Sequence, residues 1–277
     1  MIEKLIEPLC YTFMQRSLLV AILIGLLCSI VGSYLMVQRL ALLGDAISHA
    51  VMPGLAIAFS WEIPIVLGAL FAGVLSTILI SWICENFPIK EDTAIGIIFA
   101  SFFAFGIILI TMVQKNNKID LNHFLFGNIL GVTLEDVINT SIICFVVLIT
   151  IILIYKELLF YTFDYLGAHV VGLPVKQINF LLMVLVALTI VASMKAVGVV
   201  LVLALLVIPS ACASLLVDKL NHIMTYASGI GILCSVTGMY LSYFLNIPSG
   251  PAIVMIASIV FSCVLLYYQA RAYYQEY

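Results

Sequence analysis

The sequence from Leu18 to Val37 reads LLVAILIGLLCSIVGSYLMV and contains no charged side chain. A helix needs about 20 predominantly apolar residues to cross the hydrocarbon core of a bilayer, so this stretch predicts a transmembrane helix. It is too long for the apolar region of a signal peptide, and the preceding Met1-Ile-Glu-Lys-Leu-Ile-Glu is not basic. We therefore predict a retained span that follows an interfacial N-terminal segment, residues 1–16.

The apolar character continues along the chain of 277 residues, which is 65% hydrophobic and only 9% charged. Soluble domains are nearer to about 45–50% apolar and about 25% charged, so a soluble fold is excluded. Further apolar runs lie at 42–60, 63–84, 93–113, 134–155, 177–194, 196–217, 222–245 and 250–270. Because the runs 42–60 and 196–217 contain an internal proline, we predict about eight to nine transmembrane helices in one all-α, polytopic membrane domain, residues 1–277.

Several function classes are excluded by what the sequence lacks. It contains no Gly-Lys dipeptide, hence no phosphate-binding P-loop, and we find no hydrolase nucleophile elbow and no dinucleotide-binding fingerprint. The seven cysteines form no C-x-x-C pair and are expected to pack as small apolar residues. A net charge of −3 provides no basic surface for a nucleic acid. We therefore expect no enzyme, no permanently bound cofactor and no nucleic-acid partner.

The most informative polar segment is Leu42–Gly54, which reads LLGDAISHAVMPG. Asp45 and His49 are spaced i, i+4 and so share one face of a helix. Ionisable groups inside a membrane are costly and usually face a cavity, a partner or a transported ion. Pro53 has no N–H and leaves the carbonyl of His49 without its usual helical partner. A carboxylate, an imidazole and a carbonyl oxygen suit manganese, iron(II) or zinc. The alternative is an internally paired Asp–His that fixes helix packing.

Fewer polar residues remain within or beside the other apolar runs. Lys195 lies between two runs, where extension of its ammonium to the interface is expected. The segment Thr133–Asp136 has the pattern of a helix N-cap followed by first-turn acids. Asp120 and His123 lie in a polar loop and either face solvent or meet an incoming cation.

Five segments, in order along the chain, resemble the ATP-binding-cassette permeases for manganese, zinc and iron. They are Gln38–Ala56, Lys90–Ile97, Asp120–Leu130, Val197–Pro209 and Leu245–Pro251. The N-terminal Ile-Glu-Pro-Leu and Phe-Met-Gln-Arg-Ser-Leu are most similar to the manganese-transport branch.

This resemblance implies a type II importer-like permease in the bacterial plasma membrane. Two copies would form a homodimer, embedded in membrane lipid, whose interface is the metal pathway, with Asp45 and His49 as metal-binding residues. Separate ATPase subunits would dock inside, and an extracytoplasmic metal-binding protein would dock outside. The transported ion would be Mn²⁺, with Zn²⁺ or Fe²⁺ as alternatives. A self-sufficient secondary cation transporter remains the alternative from another class.

The region 155–176 resembles the cytoplasmic coupling-helix region through which such permeases contact the ATPase. The residues that carry this similarity are Asp164, Ala168, Gly172, Leu173 and Pro174. If this region is cytoplasmic, the N-terminus and the loop 114–133 lie outside. His169 departs from the family pattern, and we assign it no metal-binding role.

Overall fold

The computed structural model describes residues 7–114 and 129–275, which form helices and connecting turns without any β-strand. The helices are α1 (Thr12–Val37), α2 (Ala41–Ala50), α3 (Met52–Ser60), α4 (Ile65–Asn86), α5 (Glu91–Gln114), α6 (Leu134–Leu153), α7 (Tyr155–Phe163), α8 (Tyr165–Val170), α9 (Val175–Val197), α10 (Val199–Leu216), α11 (Leu220–Leu245) and α12 (Ser249–Gln275). Short 3₁₀ turns occur at Glu7–Cys10 and Ile129–Gly131.

The described residues contain nine helical segments that are long and apolar enough to cross a membrane. Eight of them are single helices, and the remaining one, Ala41–Ser60, is the pair α2–α3. The prediction of eight to nine spans, one of them broken, is therefore confirmed at nine. Residues 12–16, predicted to belong to an interfacial segment, are already part of α1.

The long helix α1 lies at the centre of the bundle, where it packs against α6, α9, α10 and α11. Its small residues permit close approach of the neighbouring backbones. A Cβ on Gly25 would lie 2.9 Å from the carbonyl oxygen of Gly231 in α11. A Cβ on Gly32 would lie 2.8 Å from the carbonyl carbon of Leu206 in α10. Helix α9 joins this group to a second one, formed by α2, α3, α4 and α5.

The second span is interrupted at Val51, which ends α2 and precedes α3. Pro53 occupies the first turn of α3, a position where its missing N–H is tolerated. The amide of Val51 donates to the carbonyl of Ile47 at 3.2 Å. Because Pro53 has no N–H, it cannot donate to the carbonyl of His49.

The other internal proline does not interrupt its helix. Helix α10 continues through Pro209, and the Oγ of Ser210 lies 3.1 Å from the carbonyl oxygens of both Leu206 and Ser29. The serine thus bonds one carbonyl within α10 and one on the central helix α1. This contact favours a fixed helix pair at the proline over a hinge.

Candidate metal site

Asp45 and His49 lie on one face of α2, as their spacing predicts. The Nε2 atom of His49 is 3.6 Å from Oδ1 of Asp45. The side chain of Asp45 is 50% exposed and that of His49 is 22% exposed. Because a helix rises 1.5 Å per residue, His49 lies about 12 Å along the span from its start at Ala41. Asp45 lies only about 6 Å from that start, so the pair occupies the first half of the span, and it is open on one side.

Two aromatic rings of α5 fix the orientation of the imidazole. The ring centroid of His49 lies 5.5 Å from that of Phe99 and 5.3 Å from that of Phe103, both in edge-to-face geometry. Phe99 and Phe103 are stacked on each other at 5.8 Å. The Nδ1 atom of His49 is buried and has no hydrogen-bond partner within the described part of the chain. An imidazole nitrogen that accepts no hydrogen bond is free to bind a metal ion.

The described residues of one copy supply too few ligands for a complete site. Within residues 7–114 and 129–275, no three His, Cys, Asp or Glu side chains lie close enough together to hold a metal ion. Protein-bound transition metals take four or more ligands, whereas the side chains of Asp45 and His49 provide two. The arrangement is therefore suited to weak binding of a passing ion or to completion by another molecule.

An ion pair connects the ends of α6 and α9 on the side of the membrane opposite α8. The Nζ of Lys195 lies 2.7 Å from Oδ1 of Asp136, whose side chain is only 16% exposed. Thr133 and Asp136 form a capping box at the start of α6, which confirms the predicted N-cap. The sequence predicted that Lys195 reaches the interface, but not that it binds Asp136.

Loss of Lys195 should destabilise the protein more than loss of both charges. Lys195→Met leaves the mostly buried Asp136 carboxylate without its cation, which should cost about 1 kcal/mol at this partly exposed site. Thermal unfolding in detergent measures the effect. Adding Asp136→Asn should recover most of the loss, and equal melting temperatures for the Lys195→Met single and double variants would contradict a stabilising pair.

The short helix α8 presents apolar side chains outside the membrane spans. Leu166 and Val170 are 75% and 85% exposed, and Tyr165 and Val171 are also exposed. Asp164 caps the helix, because its Oδ1 accepts the amide of Gly167 at 2.7 Å. Ala168 is fully buried and anchors the opposite face of α8. A short helix with one anchored and one exposed apolar face is suited to seat in a groove of another protein.

The turn after α8 determines the entry into the next span. Gly172 has a φ of 86°, the left-handed conformation that glycine adopts without strain. The amide of Leu173 donates to the carbonyl of Ala168 at 3.0 Å, which closes the helix end in a Schellman-like turn. Pro174 then precedes α9, and the side chain of Leu173 packs on the core. The five residues singled out in this region thus all shape α8 or its turn.

Two aromatic residues line a cavity between this region and the inner ends of α4 and α5. The ring centroids of Tyr161 in α7 and Tyr165 in α8 lie 6.0 Å apart. Both residues line a cavity of about 300 Å³ together with Glu85 and Glu91. Burial, reinforced by the carboxylate of Glu91, raises the pKa of the Tyr161 phenol, so it remains a neutral hydroxyl. The α7–α8 unit therefore faces the inner ends of α4 and α5 across this cavity and packs mainly against α9. Asp120 and His123 lie outside the described residues.

A bundle of nine apolar spans with an Asp–His pair inside one of them is typical of a membrane transport protein. The family described as "ABC 3 transport family" matches residues 10–268, and the chain belongs to that family of ATP-binding-cassette permeases. It is a multi-pass protein of the bacterial cell membrane.

Individual relatives agree with this assignment. The chain is 54% identical to an uncharacterized membrane protein in the ycf23-apcF intergenic region of Cyanophora paradoxa, over 94% of this chain and 87% of that protein. It is 40% identical to the manganese transport system membrane protein MntC of Halalkalibacterium halodurans, over 94% and 89% of the two chains. Among solved structures, PsaBC from Streptococcus pneumoniae in complex with Fab matches with a TM-score of 0.84 at 39% identity, covering 95% of each chain.

Proposed function

We propose that this chain is the membrane-spanning subunit of an ATP-driven manganese importer, and that Asp45 and His49 bind the ion during transport. The observation that carries the proposal is the placement of this pair in the first half of a span, on a half-open face, with an imidazole nitrogen that has no hydrogen-bond partner among the described residues. A carboxylate within a membrane span is energetically costly unless a cation binds to it. The manganese relative, which covers nearly the whole chain, supports the choice of ion.

The incomplete ligand set supports a homodimer. Two copies that face each other through α2 would contribute two carboxylates and two imidazoles, which meets the need for four or more ligands. The half-exposed Asp45 and the 66% exposed Leu42 on the same helix are available for this contact. The carboxylates would compensate the charge of the ion, and the imidazoles would disfavour calcium and magnesium, which prefer oxygen.

Release of the ion requires energy and motion that this chain does not generate itself. The exposed apolar face of α8 would seat in a separate ATPase subunit. The packing of α7 and α8 against α9, which also packs against α2 and α4, would carry movement to the helices around the metal pair. A metal-loaded binding protein would deliver the ion from outside. Two weakly binding states exposed alternately to the two sides would then move the ion inward.

The proposal is tested by metal-resolved uptake in cells that lack their own high-affinity importers. Cells that express this chain with its ATPase and its binding protein should accumulate manganese, measured by elemental mass spectrometry beside zinc and iron. Accumulation of zinc or iron without manganese would assign another ion. Manganese uptake that continues without the ATPase would instead identify a self-sufficient carrier.

A charge on the exposed face of α8 should uncouple the permease from the ATPase. Leu166→Glu should reduce ATPase co-purification and uptake by at least about tenfold, because a carboxylate replaces an apolar contact at the centre of a docking surface. Leu134→Glu is the matched control, since Leu134 is a similarly exposed leucine at the start of α6 on the opposite side. Full uptake by Leu166→Glu would exclude α8 as the docking element.

A further inference from the structure

A cleft lies between α4 and α6 at the membrane side opposite α8. Both helices pack against α9, but among the described residues they make at most marginal contact with each other. The cleft has a volume of about 640 Å³. Its apolar walls include Leu67 of α4 and Ile142 of α6, which are 57% and 55% exposed. Within a bilayer, a cleft with such walls is open to hydrocarbon.

The cleft changes from polar to apolar along its depth. Its rim carries Glu62, Glu135, Asn139 and Lys195, all near helix ends. Ile143 lines the same cleft eight residues after Glu135, which places it about 12 Å deeper along α6 at 1.5 Å per residue. The headgroup layer of a bilayer is about 5–8 Å thick on each side, so with Glu135 at headgroup level Ile143 lies at acyl-chain level.

The charges of the rim are unbalanced. Among the described residues, Glu62 and Glu135 are exposed and form no ion pair. Lys195 is bound to Asp136 but is 41% exposed, and an ammonium has three N–H donors, so it can still bind an acceptor. The rim therefore offers one cationic and two anionic groups, an arrangement that complements a zwitterion and repels a net anion.

We propose that this cleft is a binding site for a phospholipid with a primary-amine headgroup, phosphatidylethanolamine in its simplest form. One acyl chain lies between α4 and α6 against Leu67 and Ile142. The phosphate accepts hydrogen bonds from Lys195 and from the amide of Asn139. The primary ammonium donates to Glu62 and Glu135. A phosphatidylglycerol headgroup supplies no cation for these carboxylates. The bound lipid fills the space between two helices that do not pack on each other.

Native mass spectrometry of the complete transporter tests this site. The complex is released from nanodiscs that contain equal amounts of phosphatidylethanolamine and phosphatidylglycerol with distinguishable chain masses. We expect one retained phosphatidylethanolamine per copy of this chain and a preference of about fivefold over phosphatidylglycerol, as expected for two exposed charge contacts. Retention of both lipids in equal amounts, or of neither because a second copy covers the cleft, would overturn the proposal.

Two variants separate headgroup from acyl-chain recognition. Glu62→Gln with Glu135→Gln should remove the preference, whereas Asp92→Asn with Asp218→Asn, which removes two exposed carboxylates from the other membrane side, should preserve it. Ile142→Trp should fill the cleft and lower retention of both lipids. A preference that survives the glutamine pair, or lipid retention unchanged by the tryptophan, contradicts the site.

Thermal unfolding provides a second readout for the same variants. Because a lipid bound to the folded state raises its melting temperature, the unmodified complex should melt higher in phosphatidylethanolamine than in phosphatidylglycerol. The Glu62→Gln, Glu135→Gln double variant should have the same melting temperature in phosphatidylethanolamine and in phosphatidylglycerol. An equal melting temperature of the unmodified complex in the two lipids would count against the proposal.

Discussion

Replacing Asp45 with asparagine, or His49 with leucine, should abolish manganese uptake while the permease still assembles in the membrane. Both changes keep the side-chain volume nearly constant, and each removes one metal-binding group. Loss of groups that merely orient a ligand costs metal sites about 10–100-fold, so loss of the ligand itself should lower uptake by more than about 100-fold. Initial uptake rates at limiting manganese measure the effect.

The control for this experiment is Asp218→Asn, which removes an exposed carboxylate from the turn between α10 and α11. It should transport manganese normally. The amount of each variant in the membrane and its co-purification with the ATPase must match those of the unmodified chain. Normal uptake by Asp45→Asn would show that the pair serves helix packing instead of the ion, which is the alternative that the spacing of the two residues leaves open.

Gly32→Ala should prevent stable packing of the central helix. A Cβ at this position would lie 2.8 Å from both the carbonyl carbon of Leu206 and the Oγ of Ser210. Backbone atoms cannot rotate away as a side chain does, so α1 and α10 must separate. Overpacking of this kind costs about 3 kcal/mol, which should lower the melting temperature in detergent by roughly 6–12 °C.

Gly229 provides a matched control, because a Cβ at this position in α11 has no heavy atom of the described residues within 4 Å, apart from its own helix neighbours. Gly229→Ala should leave the melting temperature unchanged or raise it slightly, since alanine favours a helix over glycine. If Gly32→Ala melts like Gly229→Ala, the close approach of α1 and α10 does not limit stability.

The spans and the position of the broken helix could be predicted from the sequence because both depend on local properties. The length of an apolar run determines whether a helix can cross the membrane, and Pro53 explains the break at Val51. The capping box at Thr133 and the shared face of Asp45 and His49 are likewise set by residues three or four positions apart. Such features need no knowledge of which helices are neighbours.

The surroundings of the candidate site could not be predicted, because they depend on helix packing. Helix α5 is apolar on all sides, so its sequence does not reveal that Phe99 and Phe103 face His49. The pair of Lys195 and Asp136 joins residues 59 positions apart, each of which had a satisfactory local explanation. Opposite charges at the same end of two spans were the signal that could have indicated this pair.

Because of the break at Val51, the two proposed metal-binding residues would move by different amounts when α2 tilts. At 1.5 Å per residue, Asp45 lies about 9 Å from the break and His49 only about 3 Å. A tilt of α2 by about 10° around Val51, with α3 held by its glycine contact to α4, would displace Asp45 by roughly 1.6 Å and His49 by roughly 0.5 Å. Metal–ligand distances tolerate only about 0.2 Å. A small tilt would thus withdraw the Asp45 carboxylate first and leave the ion at His49 with fewer ligands, from which it would depart more easily.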